Sequence, residues 1–171
     1  MSDMSIRSAY AGAVTSSPRW LTGPEQRAWQ AYRRMTLLLN ARISRELADD
    51  CGLSDPDYDV LSNLGESAER RCRVNELADR MLWSRSRLSH HLTRMQQRGL
   101  VSREHCADDG RGAVVVLTDA GLRKLEEAAA GHVEAVRRHF IDLLTPEEID
   151  AFAGIGETVV THLTDEGGAP A

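Results

Sequence analysis

Residues 74 to 98 constrain the fold more than any other stretch, because two amphipathic segments stand on either side of a turn with their apolar and polar faces separated. Val74, Leu77 and Ala78 supply the inner face of a short helix, Met81 to Trp83 fit a turn, and Ser84 is a good N-cap for a helix of roughly 85 to 98. Along this second helix Leu88, Leu92 and Met95 fall at i, i+4 and i+7 on one side. Arg87, His90 and Arg94 fall at i, i+3 and i+7 on another, with Ser86 and Ser89 beside them near the amino end. The apolar stripe anchors the helix and the polar stripe is free to enter a groove. Gly99 closes it. Leu100 to Cys106 and Ala113 to Leu117 then read as two strands, and Ala107, Asp108, Asp109, Gly110, Arg111 and Gly112 as the turn of a hairpin that stands as a wing beside the helix.

The flanking segments are helical. Residues 1 to 19 are rich in Ser, Ala and Gly without a sustained period and are expected to form a mobile arm. Thr22 and Glu25 form a helix start, followed by a stripe of Trp29, Tyr32, Met35, Leu39, Ile43 and Leu47 that ends where Gly52 can take a left-handed cap. Ser54, Pro56 and Asp57 start a second helix with Leu61 and Leu64 facing inward, ending near Ser67, and a loop over Glu69 to Cys72 is expected after it. Thr118 caps a long helix in which Leu122, Leu125, Ala129, Val133, Val136, Phe140 and Leu143 recur at steps of three and four, with Gly131 a possible bend. Thr145, Pro146 and Glu148 start a last helix with Ile149, Phe152, Gly156, Val159 and Leu163 on one face, and the tail from Asp165 is expected to fray. A helix of about 25 residues is about 38 Å long. A chain of 171 residues cannot cover such a stripe along its whole length, so burial against a second copy about a twofold axis is expected, giving a homodimer. The expected organisation is a mainly α fold with a small β-hairpin: a DNA-binding-type helix-turn-helix domain over 53–118, a helical dimerisation region from 20–52 and 119–163, and a flexible tail over 164–171.

The formal net charge of −5 misleads until its distribution is read. Residues 70 to 111 hold ten arginines against five acids, a net of +5, which leaves −10 for the rest. One region suited to phosphate and a remainder that avoids it is the charge pattern of a nucleic-acid binder. No apolar run is long enough for a signal peptide or a membrane span, which points to the cytoplasm. The three cysteines, Cys51, Cys72 and Cys106, do not form a disulfide framework pattern. No histidine pair has the i, i+4 spacing of a helical metal site, and no phosphate loop, nucleophile elbow or carboxylate pair suggests an enzyme; neither metal nor cofactor is expected.

The order of helix, helix, short helix, turn, helix, hairpin, long helix and helix resembles the MarR family of bacterial transcription regulators. The resemblance covers about residues 20 to 163, and its specific stretches are Val74 to Ala78 (VNELA), Ser84 to Val101 (SRSRLSHHLTRMQQRGLV) and Asp108 to Gly121 (DGR within DDGRGAVVVLTDAG). It implies a winged helix-turn-helix dimer that binds pseudo-palindromic double-stranded DNA, usually as a repressor, and is often released by a phenolic or lipophilic effector or by an oxidant. The family's Asp-x-Arg wing motif falls on Asp109 and Arg111, the carboxylate bracing the wing and the arginine reaching into the minor groove. Candidate DNA contacts are Ser84, Arg85, Ser86, Arg87, Ser89, His90, Arg94 and Arg111, with Arg85 and the Ser84 backbone N–H placed for phosphate.

An effector site is expected where the first two helices and the base of the long helix meet the DNA-binding lobe, with Trp29, Tyr32, Tyr58 and Trp83 as candidate lining residues. Core packing explains each of these aromatics equally well. Two alternatives compete with the small-molecule-regulated repressor. One is a winged helix turned to a protein partner, which would not need Arg87, Arg94 and Arg111 on one outward side. The other is a thiol-based redox sensor, for which Cys72 between Arg71 and Arg73 is the best-placed thiol, although none of the three cysteines lies near the start of the first helix as in oxidant-sensing members of the family.

Overall fold

The computed structural model describes residues 18–105 and 113–167. The expected wing tip, including Asp109 and Arg111, and Cys106 lie outside the described residues, as do the expected arm up to residue 17 and the last four residues of the tail. Two compact units divide between Leu38 and Leu39, and helix α1 (Gly23–Cys51) belongs to both.

In the first unit the Thr22 backbone N–H donates to the Glu25 carboxylate at 2.7 Å, as the capping pattern predicts. Trp29 stacks on Tyr32 with ring centroids 5.8 Å apart, and both rings, with Leu37 and Leu38, are half exposed or more.

The second unit holds one core. It joins Leu47 of α1, Leu53, the inner faces of α2 (Asp55–Gly65), α3 (Val74–Arg80) and α4 (Arg85–Gln97), strands β2 (Val101–His105) and β3 (Ala113–Leu117), and Ala128 of α5 (Asp119–His139). Helices α2, α4 and α5 each start at a side-chain cap, whereas α3 follows Arg73 without one. Ser54 and Asp57 cap each other's free backbone donors at α2, the Ser84 hydroxyl accepts from Arg87 N at α4, and the Thr118 hydroxyl accepts from Gly121 N at α5. Gly52 and Gly99 hold the positive φ angles, 63° and 73°, that end α1 and α4. Gly121 meets a different demand: a Cβ there would land on the Leu100 carbonyl oxygen, so only glycine lets the start of α5 pass the chain entering β2.

The loop expected over Glu69 to Cys72 is instead a 3-10 turn (Ala68–Arg70) and a third strand, β1 (Arg71–Arg73). β1 pairs antiparallel with β3 in the sheet order β1-β3-β2, with Cys72 opposite Val115. The strand is three residues long and buries only Cys72, so the sequence has no alternation to reveal it and pairing with β3 alone makes it a strand.

The long helix also departs from expectation. α5 stops at His139, Phe140 leaves helical geometry (φ −141°, ψ −67°), and Ile141–Leu143 form a 3-10 turn before α6 (Pro146–Gly167). Phe140 turns edge-on to Phe152 at 5.1 Å, and Thr145 with Glu148 caps the next helix. The three-residue step from Phe140 to Leu143 suits a 3-10 turn as well as an α-helix, which is why periodicity ran the helix too far. Inside the chain α5 buries the small residues Gly121, Ala128 and Ala135, seven apart, while Val133 and Leu143 of the expected stripe are exposed. α6 carries on to Gly167, past the expected fraying point. The Glu46 carboxylate ties α1 to the end of α5, bonding Arg42 at 2.7 Å and His139 at 2.8 Å.

Leu82, in the turn between α3 and α4, has a φ of 52° and is 93% exposed, so its backbone strain is not repaid by packing. Leu82→Gly should raise stability by about 0.5–1 kcal/mol. Gly121→Ala should lower it by about 2 kcal/mol or more. Urea midpoints at unchanged slope check both, and a lower midpoint for Leu82→Gly would refute the strain.

Candidate nucleic-acid interface

Helix α4 is anchored by one face and open on the other. Leu88, Leu92 and Met95 are fully buried, whereas Arg85, Ser86, Arg87, Ser89, His90 and Arg94 are all exposed along the remaining surface. Ser84, also exposed, spends its hydroxyl on the N-cap, 3.2 Å from Arg87 N. The structure therefore brings seven of the eight expected contact residues together on one helix and its cap. The eighth, Arg111, lies outside the described residues with Asp109.

Two of the arginines are held rather than free. The Arg87 guanidinium lies 4.0 Å from the centroid of the Trp83 ring, a cation–π distance that keeps it over the helix start. Arg94 Nη2 lies 3.0 Å from His91 Nδ1. His91 is 6% exposed, edge-on to Trp83 at 5.5 Å, with its Nε2 3.1 Å from Asp57 Oδ1. That last approach is a polar contact that falls off the line of a well-formed hydrogen bond.

Asp57 is the other buried polar residue of the described chain, and its carboxylate is crowded with donors. Oδ2 accepts from Ser54 N at 3.0 Å, Ser54 Oγ at 2.9 Å and Arg98 Nη1 at 2.7 Å, and Arg98 Nη2 donates on to the Gly52 carbonyl at 2.8 Å. Burial works against the charge, but the Ser54 and Arg98 hydrogen bonds outweigh it and hold the Asp57 carboxyl below its ordinary range. Burial pushes His91 the other way for a base, below the ordinary imidazole range, with Asp57 partly opposing. From the sheet side, Arg103 of β2 donates to the Ser89 carbonyl at 2.6 Å and ties the wing to α4.

Sequence reasoning missed His91, Asp57 as more than a cap, Arg98 and Arg103. For His91 a signal existed: it lies three residues after Leu88 and four before Met95, on the apolar stripe. Arg98 and Arg103 carried none, since their partners are far away in sequence.

The four aromatics expected around an effector each have a ring partner within their own unit. Trp29 and Tyr32 pair in the first unit; Tyr58 packs on His132 at 4.5 Å; Trp83 is engaged by Arg87 and His91. Near His132 a cleft lined by Ile43, Leu47, Cys51, Ala128 and Ala135 has room for about one water. Cys72 does not have the character of a redox sensor. It is buried, its thiol donates toward Glu76 Oε2 at 3.7 Å, and burial pushes its pKa up despite the charge of Arg80. Cys51 is pushed up by burial as well. Among the described residues no helix is long and apolar enough to cross a membrane.

Comparison with known proteins agrees with this geometry. The sequence model of the MarR family matches residues 52–112. The chain is similar to AbsC, a MarR family transcriptional regulator from Streptomyces coelicolor, at 41% identity and a TM-score of 0.82, over 86% of this chain and 99% of that one. Sco3205, a MarR family transcriptional regulator of the same organism solved in complex with DNA, is also 41% identical, with a TM-score of 0.80 over 84% of this chain and 94% of that one. The transcriptional repressor MdtR of Bacillus subtilis is 35% identical over 57% of this chain, an alignment that spans only 61% of MdtR.

Removing the Asp57 carboxylate should cost about 2–3 kcal/mol, because Arg98 can return to water but the buried side of the network cannot. Because folding lowers the Asp57 pKa, its contribution is present above about pH 4 and is lost as pH falls through the folded value. The urea midpoints of wild type and Asp57→Ala should therefore converge in acid. Midpoints that stay equally separated at every pH would disprove this.

Proposed function

The chain belongs to the MarR family, and from that premise we propose that it is a cytoplasmic, homodimeric repressor that binds a pseudo-palindromic operator in double-stranded DNA. The observation that carries the reading is α4: one face locked in the core, the other offering Arg85, Ser86, Arg87, Ser89, His90 and Arg94 to solvent. Such a helix suits the major groove, with Arg87 and Arg94 able to meet phosphate or guanine and the serines and His90 able to meet base edges or backbone oxygens. Asp109 would brace the wing and Arg111 reach the minor groove. In this reading 53–118 is the DNA-binding domain.

Dimerisation falls to the segments 20–52 and 119–163. Phe152, Ile155, Val159, Val160 and Leu163 are each between 42% and 64% exposed along α6, an apolar face that water would not tolerate uncovered. A second copy related by a twofold axis covers it and sets two α4 helices about one DNA turn apart. For a small phenolic or lipophilic effector, the seam where Tyr58 lies on His132 joins α2 to α5 beside the DNA-binding domain. A ligand would have to open its water-sized cleft, and that opening would move α2, which holds α4 through Asp57.

The experiment is a gel-shift titration against the upstream intergenic DNA and against random DNA, at rising salt and with a panel of phenolic compounds. Saturable, selective, salt-sensitive binding is expected. Arg111→Ala should weaken binding to all sequences, whereas Arg94→Ala should also relax base preference, by about 1–3 kcal/mol at the base it reads. Equal losses from both changes on every sequence would remove Arg94 from the specificity set.

Val159→Glu with Leu163→Glu should turn the dimer into a monomer by sedimentation and abolish operator binding. A dimer that survives both changes would place the interface elsewhere.

A further inference from the structure

Behind the exposed arginines of α4 lies a buried relay that the DNA-binding reading does not use. Asp57 of α2 faces His91 Nε2 at 3.1 Å, and His91 Nδ1 faces Arg94 Nη2 at 3.0 Å. A guanidinium has donors only, so the imidazole nitrogen opposite it must accept. The tautomer compatible with both neighbours carries its proton on Nε2, on the carboxylate side, and keeps the Nδ1 lone pair for Arg94. Trp83 closes the ring edge-on, and its own partner Arg87 sits over its face. The charged groups that face His91 are thus Asp57 from α2 and Arg94 from α4. Arg98 stands beyond Asp57 and Arg87 beyond Trp83.

We propose that His91 is a positioning residue for Arg94, holding its guanidinium in the orientation that reads DNA, and that protonation of His91 releases it so that sequence-selective binding falls in acid. This rests on the reading of α4 as the DNA-contacting helix. Only the neutral ring can hold Arg94. Once Nδ1 takes up a proton, a donor and a positive charge face a guanidinium that is also a donor and positive, and Arg94, itself exposed, swings away into solvent. The burial that disfavours the imidazolium keeps the relay in its holding state at neutral pH. The expected sign is opposite to the ordinary one: added positive charge on a protein favours phosphate binding in general, whereas here selectivity declines in acid.

The test uses the full-length chain and a duplex enriched by the wild type from a random-sequence library at about pH 8, with anisotropy titrations on that duplex and on a scrambled one. The readout is the ratio of the two affinities from about pH 8 to about pH 5.5, with a melting curve at each pH to show that the protein is folded. In the wild type the ratio should fall about tenfold in acid while affinity for the scrambled duplex holds or rises. His91→Asn, whose amide oxygen can take the place of Nδ1, should keep the ratio and lose its pH dependence. His91→Leu should show a ratio reduced about tenfold already at pH 8, and Arg94→Ala a low ratio that no longer responds to pH. A wild-type ratio that is flat in acid, a His91→Asn profile that tracks the wild type, or a His91→Leu variant with a full ratio at pH 8 would each overturn the relay. Failure of the wild type to enrich any duplex would instead bring down the DNA-binding reading, and the relay with it.

Discussion

The Asp57 carboxylate is the point through which helix α4 is attached to the rest of the second unit. It closes the capping box of α2 with Ser54, takes Arg98 from the end of α4, and faces His91 from the middle of the same helix. Arg98 extends the tie to the Gly52 carbonyl, so the end of α1, the start of α2 and two positions along α4 converge on one buried group. Hydrophobic contacts at Leu88, Leu92 and Met95 hold α4 down, but such contacts are non-directional and tolerate rotation or sliding of a helix. The ion pair and hydrogen bonds are directional. They fix the rotation of α4 about its axis, and that rotation decides which side chains face outward.

Much of this fold was legible because its decisive signals are local. The caps at Thr22, Ser54, Ser84, Thr118 and Thr145 each depend on residues no more than three apart, and all appear where the side-chain chemistry requires. Gly52 and Gly99 are legible for the same reason. What escaped was set at long range. β1 exists only by pairing with β3, more than forty residues away, and the end of α5 follows from Phe140 finding Phe152. On the candidate interface, the outward residues of α4 follow from helical phase alone, whereas what restrains them does not. Arg103 reaches Ser89 and Arg98 reaches Asp57 across gaps that no periodicity encodes.

Adjacent histidines make the point sharply. His90 and His91 are one step of about 100° apart on a helix, enough to set one in solvent and the other among Leu88, Leu92 and Met95. A polar side chain in an apolar stripe is costly unless it is paired, and Asp57 and Arg94 supply the pairing. The net charge of −5 conceals a similar division. The arginines crowd into the segment carrying α4 and the wing while acids dominate elsewhere, so a phosphate backbone would be attracted at one surface and repelled from the others.

A buried Asp–His pair is an inefficient way to hold a helix in place. Well-packed apolar residues of similar volume commonly give equal or greater stability than a buried polar or ionic pair. Leu88 and Leu92, on either side of His91 in the stripe, show that such packing is available at this depth. An apolar residue at 91 could anchor α4, but it could not accept a hydrogen bond from Arg94. A long, flexible arginine on an open helix face samples many rotamers, and ordering it upon binding is entropically costly. Restraining Arg94 through His91, as Arg87 is restrained over Trp83, places part of that ordering in the folding of the chain itself. The polar core of this unit thus holds Arg94 before any partner arrives, as the Trp83 ring holds Arg87, in addition to what it contributes to stability.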